Sequence, residues 1–231
     1  MNIEEIREYG KKIMELLGLD KPLVAVKLAK SKDEIPEGYE LPEEAKRHCE
    51  WIQAARLEGK KLYAPAEKHF CKGGAYAIGV LKKPPKILVT GKLYVNLGNF
   101  IDENVAKQVV DAIPKVKEDI YASVYAPLTE TDFVPDSVVF IGCALHCLRL
   151  VQALLCHKGV RLHADFSGIQ SLCGDAVAAV YLRKTPNMTL GCNGSRVNAG
   201  VKPDELIVAF PPERLEDIVK ALEHFKKFEG F

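Results

Sequence analysis

Residues 59–85 read GKKLYAPAEKHFCKGGAYAIGVLKKPP, and residues 159–186 read GVRLHADFSGIQSLCGDAVAAVYLRKTP. The two stretches agree in order and nearly in spacing. Gly59, Leu62 and Ala64 recur at an offset of 100 as Gly159, Leu162 and Ala164, and Cys71 recurs at an offset of 102 as Cys173. Ala75-x-Ala77 returns at 101 as Ala176-x-Ala178, and Leu81-Lys-Lys-x-Pro85 returns at 101 as Leu182-Arg-Lys-x-Pro186. Upstream, Cys49 with Gln53-Ala54 is echoed by Cys147 with Gln152-Ala153, one residue out of step. This shared order predicts an internal duplication.

Each copy reads as strand, helix, strand, helix. In the first, residues 22–28 (PLVAVKL) form a strand and residues 43–57 a helix ended by Gly59. A short strand follows at 61–64, and Cys71-Lys72-Gly73-Gly74 opens an Ala-rich helix running to about 81. In the second, residues 137–142 supply the opening strand. The expected fold is α/β or α+β. It is one domain over residues 1–231, with halves at about 20–115 and 135–226 related by a pseudo-twofold axis that brings Cys71 and Cys173 towards each other. Around this core the periodicity predicts an amphipathic helix over 3–17 closed by Gly18, a helix over 104–113, and strands over 120–125 and 205–210. A last helix over 214–226 carries the apolar face Leu215, Ile218, Val219, Leu222 and Phe225. Strand order is not encoded in these patterns.

The charge balance excludes some functions. Among 231 residues, 32 Lys and Arg face 31 Asp and Glu, a net charge of +1. Duplex and membrane-surface binding draw their affinity from a basic surplus or block, and none is present, so neither nucleic acid nor a membrane surface is an expected partner. The most apolar stretch, 138–156, is broken by His146, Arg149 and Gln152, so no membrane span is expected. The N-terminal residues lack the basic start, apolar centre and cleavage site of a signal peptide, which predicts a cytoplasmic protein. A homo-oligomer is compatible with the composition.

Seven cysteines remain to be explained. In a reducing cytosol an odd number points to thiols, metal ligands or cluster ligands instead of a disulfide framework. Cys71 and Cys173 stand at expected helix starts, where unpaired N–H groups and the helix dipole stabilise a thiolate. Cys192 lies in Gly191-Cys-Asn-Gly-Ser-Arg196, a turn suited to presenting a side chain and backbone donors. Cys49 follows His48 on a helix. Cys143, Cys147 and Cys156 flank or occupy the apolar helix 144–155. There they read as small core residues, the alternative being a zinc site with His146 or His157.

These residues also carry a resemblance. Cys49 with Ala55-Arg56-x-x-Gly59, then His69-x-Cys71-x-Gly73-Gly74-Ala75, Cys173, and Gly191-Cys192-x-Gly194-x-Arg196 together resemble the family catalogued as domain of unknown function 169, found mainly in archaea and anaerobic bacteria. The resemblance covers nearly the whole chain. It implies that Cys49, Cys71, Cys173 and Cys192 belong to a family pattern, while the other three cysteines are particular to this sequence.

Four such cysteines suit a four-iron cluster or an all-cysteine zinc site. Their wide spacing and the anaerobic flavour of the family favour iron and sulfide. The first expectation is therefore an iron–sulfur protein with a redox or electron-transfer role on a small anionic molecule, with Arg56, Lys72, Arg196, His69 and the glycines Gly73, Gly74 and Gly194 as binding residues. Two alternatives stay open. One is a small-ligand binding or sensor module holding zinc or free thiols. The other is an enzyme with Cys71 or Cys173 as nucleophile and His69 as base. No Walker-type, Gly-x-Gly-x-x-Gly, Gly-x-Ser-x-Gly or His-Glu-x-x-His motif is present, so neither a nucleotide nor common hydrolase chemistry is expected.

Overall fold

Hydrophobic pattern and capping place the helices. The structure, a computed structural model, describes residues 1–228, so the last three residues of the expected 1–231 span lie outside the described residues. The helices are α1 (Ile3–Leu17), α2 (His48–Glu58), α3 (Lys72–Ala77), α4 (Lys86–Val89), α5 (Lys92–Asn96), α6 (Glu103–Ala112), α7 (Ala144–Cys156), α8 (Ala179–Arg183), α9 (Asn193–Val197) and α10 (Leu215–Phe225). A π-helix, Ser171–Ala178, runs directly into α8. Asn2 caps α1 by accepting from Glu5 N–H at 2.9 Å, the Glu5 carboxylate accepts from Asn2 N–H at 2.7 Å, and Gly18 closes the helix at φ 65°.

The strands are β1 (Val24–Ala29), β2 (Leu62–Pro65), β3 (Ala122–Pro127), β4 (Ser137–Cys143), β5 (Asn187–Thr189) and β6 (Glu205–Phe210). They form one sheet in the order β2-β3-β1-β4-β6-β5, antiparallel at every step. β1 and β4 pair at the centre of the sheet, with Val24 opposite Val139 and Val26 opposite Ser137.

Helices cover both faces, and alternate residues serve each. Val24, Val26, Val139, Ile141, Ile207 and Ala209 point into the core under α2, α3 and the π-helix. Ala25, Val138, Phe140, Val208 and Phe210 point into the core under α1, α7 and α10. Burial on both faces explains why β4 and β6 read in sequence as unbroken apolar runs. A third, smaller core of Leu88, Tyr94, Ala106, Val110, Ile113 and Ile169 ties α4, α5 and α6 to the segment before the π-helix.

A mixed helix and sheet fold was expected and is found, but three local expectations fail. Residues 162–164 form no strand and lie in a mostly exposed irregular segment. The edge that β2 occupies on β3 is taken on β6 by β5, further along the chain, so 162–164 have no strand to pair with. Cys173 is not at a first helical position; it is the third residue of the π-helix, behind Gln170 and Ser171. The helix expected over 43–57 begins at His48, because Lys46 is held extended by backbone bonds: Lys46 N–H donates to Lys68 O at 3.2 Å and Phe70 N–H to Lys46 O at 2.9 Å.

Candidate functional site

Those two bonds start the site. They tie the residues before α2 to the loop before α3, so Cys49 in the first turn of α2 comes beside Cys71, the N-cap of α3. On the other side, Cys192 caps α9 just after edge strand β5, and Cys173 lies on the π-helix packed against α3. The Cys173 sulfur sits 3.5 Å from where a side chain at Gly74 would begin. All four cysteines, with Lys72, Gly73, Gly74 and Gly194, line one cavity of about 530 Å³.

The electrostatics of the four sulfurs differ. Burial pushes the Cys49 thiol far up, reinforced by Cys192 and Cys71. Burial raises Cys173 well above its ordinary value, reinforced by Cys71, Cys192 and Cys49. Cys71 Sγ accepts from Gly74 N–H at 3.4 Å. At Cys192 burial acts upward, but hydrogen-bonding groups of Ser171 and Ser195 outweigh it and hold the thiol below its ordinary value. Ser171 Oγ meets no partner at full hydrogen-bond geometry and leans on that sulfur. Among the described residues no three His, Cys, Asp or Glu side chains converge closely enough to hold a metal ion.

The rest of the lining is mostly apolar, with Phe70, Ile87, Leu88, Leu93, Tyr94, Leu97, Ile169, Leu172 and Val197. Phe70 at 61% and Val197 at 81% exposure mark its open rim. Arg47 and Lys72 belong to the lining, and no Asp or Glu does. The Arg47 guanidinium pairs with Glu50 at 3.2 Å and stacks 4.8 Å from the Phe70 ring.

Three expected binding residues lie outside this lining. Arg56 pairs with Glu205 at 2.7 Å and donates to Gln53 Oε1 at 3.2 Å, clamping α2 to β6. Arg196 donates to the carbonyls of Leu190, Lys202 and Glu205, fixing the loop around α9. His69 is fully buried, its Nε2 3.1 Å from Ala64 O and 3.0 Å from Ser123 Oγ. Burial pushes His69 down to about 4, and burial then His69 push His48 down to about 3, so both imidazoles are neutral near pH 7. His48 Nδ1 stands 2.6 Å from Tyr125 OH, which donates to Ser123 Oγ at 2.7 Å. A buried polar chain thus runs beneath the cysteine group.

Cys143, Cys147 and Cys156 lie elsewhere, on and before α7 across the sheet. Sequence reading missed Arg47, Phe70, Tyr94 and Gln170. The signal available for three of them was adjacency, since Arg47, Phe70 and Gln170 stand within three residues of a candidate cysteine.

Fold and site together define a helix-covered antiparallel sheet with a cysteine-ringed apolar pocket at one face. The chain belongs to the family catalogued as domain of unknown function 169, described as uncharacterised ArCR, whose profile matches residues 12–221. The uncharacterized protein MJ0308 of Methanocaldococcus jannaschii is 72% identical over 227 residues, covering 98% of this chain and 97% of that protein. No solved structure matches the chain. Among the described residues no helix is long and apolar enough to cross a membrane.

Proposed function

We propose that Cys49, Cys71, Cys173 and Cys192 hold one four-iron iron–sulfur cluster, and that the protein uses it for electron transfer or redox chemistry on a small anion entering the same cavity. One observation carries this: four cysteines spread from position 49 to 192 line a single cavity from four separate helical segments. The donor set suits the group, since a four-iron cluster takes four thiolates.

When bound, such a group supplies one electron at a potential set by hydrogen bonds to its sulfurs, burial and charge. The chain's contributions are separable. Ser171 and Ser195 at Cys192 favour the thiolate form, and Gly74 N–H donates to the Cys71 sulfur. Cys49 and Cys173 are protonated when metal-free, so loading displaces their protons. The apolar walls exclude water, and Lys72 supplies positive charge for an anion.

The ligands also support a duplication, in a register other than the offset near 100. Each half places its first strand at the centre of the sheet, its second at the edge and its third between. Matching strands this way pairs Cys71, capping the helix after edge strand β2, with Cys192, capping the helix after edge strand β5. It pairs Cys49 with Cys173, each followed five and six residues later by Ala-Ala.

Anaerobic purification with iron, sulfide and zinc analysis tests the proposal. Broad visible absorption bleached by dithionite is expected, and its loss in Cys71→Ser and Cys173→Ser. A protein still colourless after anaerobic reconstitution with ferrous iron and sulfide overturns it; stoichiometric zinc in place of iron supports the metal-binding module. A second reading, a thiol enzyme, rests on the lowered Cys192 thiol. It expects selective alkylation at Cys192 in metal-free, active protein.

A further inference from the structure

The polar groups of the pocket that lack partners indicate what enters it. Gln170 is 5% exposed and lies in the left-handed region at φ 50°, ψ 41°, a conformation that non-glycine residues seldom adopt and that clusters at ligand sites. Its Nε2 donates to Tyr94 OH at 2.8 Å, and its Oε1 has no partner. In that arrangement the Tyr94 proton is free to donate and Gln170 Oε1 is free to accept. Turning the amide round exchanges the roles, leaving Tyr94 oxygen to accept and Gln170 NH₂ to donate. Either way the pair retains at least one donor and one acceptor. A hydroxyl group, which donates and accepts through one atom, satisfies both.

A second group with spare capacity is Lys72. Its Nζ donates to His69 O at 2.8 Å, two of its three donors remain, and no carboxylate among the described residues pairs with it. Both features meet the first turn of α3. A side chain begun at Gly73, next to Lys72, would stand 3.1 Å from Tyr94 Oη and 3.5 Å from the Gln170 amide carbon. The lining of the same cavity is largely apolar, Leu88, Leu97 and Ile169 among it, and its volume of about 530 Å³ is that of small-molecule sites.

We propose that this pocket binds a small organic acid whose apolar body carries both a hydroxyl and a carboxylate, the hydroxyl held by Gln170 and Tyr94 and the carboxylate by Lys72. The proposal rests on the reading of the pocket as the substrate site of the proposed redox protein, and it names the class of that substrate.

Calorimetric titration tests it with 4-hydroxybenzoate and 3-(4-hydroxyphenyl)propionate, their deoxy counterparts benzoate and 3-phenylpropionate, and neutral 4-ethylphenol, with iron measured in the same samples. At least one hydroxy acid is expected to bind about tenfold more tightly than its deoxy counterpart and than 4-ethylphenol, because the deoxy acid leaves a buried donor and acceptor unmet. Gln170→Asn, which tolerates the left-handed backbone but withdraws the amide by one methylene, is expected to erase the hydroxyl preference. Lys72→Met is expected to erase the carboxylate preference. Absence of binding by both hydroxy acids, equal affinity for each hydroxy and deoxy pair, or a hydroxyl preference surviving Gln170→Asn overturns the proposal. Should Gln170→Asn fail to fold, the comparison on the unaltered protein decides. Hydroxy-acid binding by protein that takes up no iron removes the cluster and keeps the pocket assignment; iron uptake without hydroxy-acid binding does the reverse.

Discussion

Asp175→Asn is expected to stabilise the protein by an amount that grows with pH. Asp175 lies on the π-helix two residues after Cys173, 2% exposed, with its Oδ2 accepting from Thr189 Oγ1 at 2.8 Å. Burial is the main influence and raises its carboxyl from 3.8 to about 7, with Thr189 acting in the opposite sense. A carboxyl that titrates higher in the fold than in the unfolded chain binds more protons when folded. Stability therefore falls as pH rises from about 4 to 7 and levels off above. At 1.36 kcal/mol per pH unit, the cost of ionised Asp175 is about 1.5 kcal/mol at pH 5 and about 4 kcal/mol at pH 8. Asparagine keeps an acceptor for Thr189 and carries no charge, so its advantage grows by roughly 2 to 3 kcal/mol over that interval. Urea unfolding of both proteins in the same metal state, at constant ionic strength and at several values between pH 5 and 8, measures the difference. A gap between the two curves that stays constant with pH would refute the reasoning, because it would mean that Asp175 does not change its proton occupancy on folding.

Other substitutions probe the frame around the site. Arg56→Ala leaves Glu205 buried and unpaired, and is expected to cost about 3 to 5 kcal/mol in urea unfolding; Arg56→Met with Glu205→Leu is expected to recover most of it. Gly91→Ala puts a methyl 2.6 Å from Lys107 N at φ 81°, and is expected to cost about 2 to 3 kcal/mol, seen as a lowered melting temperature. Cys143→Ser and Cys156→Ser, neither in the pocket lining, are expected to leave iron and sulfide content and the visible spectrum unchanged.

Elements with a local cause were legible in the sequence. Gly18 closes α1 at φ 65°, Gly59 ends α2 at φ 70°, and residues 205–210 form a strand as their apolar run predicts. The sorting of the cysteines that the family resemblance implies corresponds to a spatial division, with four at one pocket and three at α7. Elements with a distant cause were not legible. Residues 162–164 resemble a strand, yet a strand exists only where an edge is open, and β5 holds the edge of β6. The π-helix gives no periodic signal of its own in eight residues.

By itself, then, the sequence determined which side chains are able to do chemistry and which segments take up helix or strand, because capping, glycine and apolar period act over a few residues. The tertiary structure alone decided the partners. Arg56, Arg196 and His69 stand near the cysteines in the chain but are committed to Glu205, to loop carbonyls and to Ser123. Gln170 and Tyr94, 76 residues apart, meet at the pocket with hydrogen-bonding capacity to spare. Whether a polar group is satisfied or left free depends on what the fold brings within about 3 Å of it, and that distance has no counterpart along the chain.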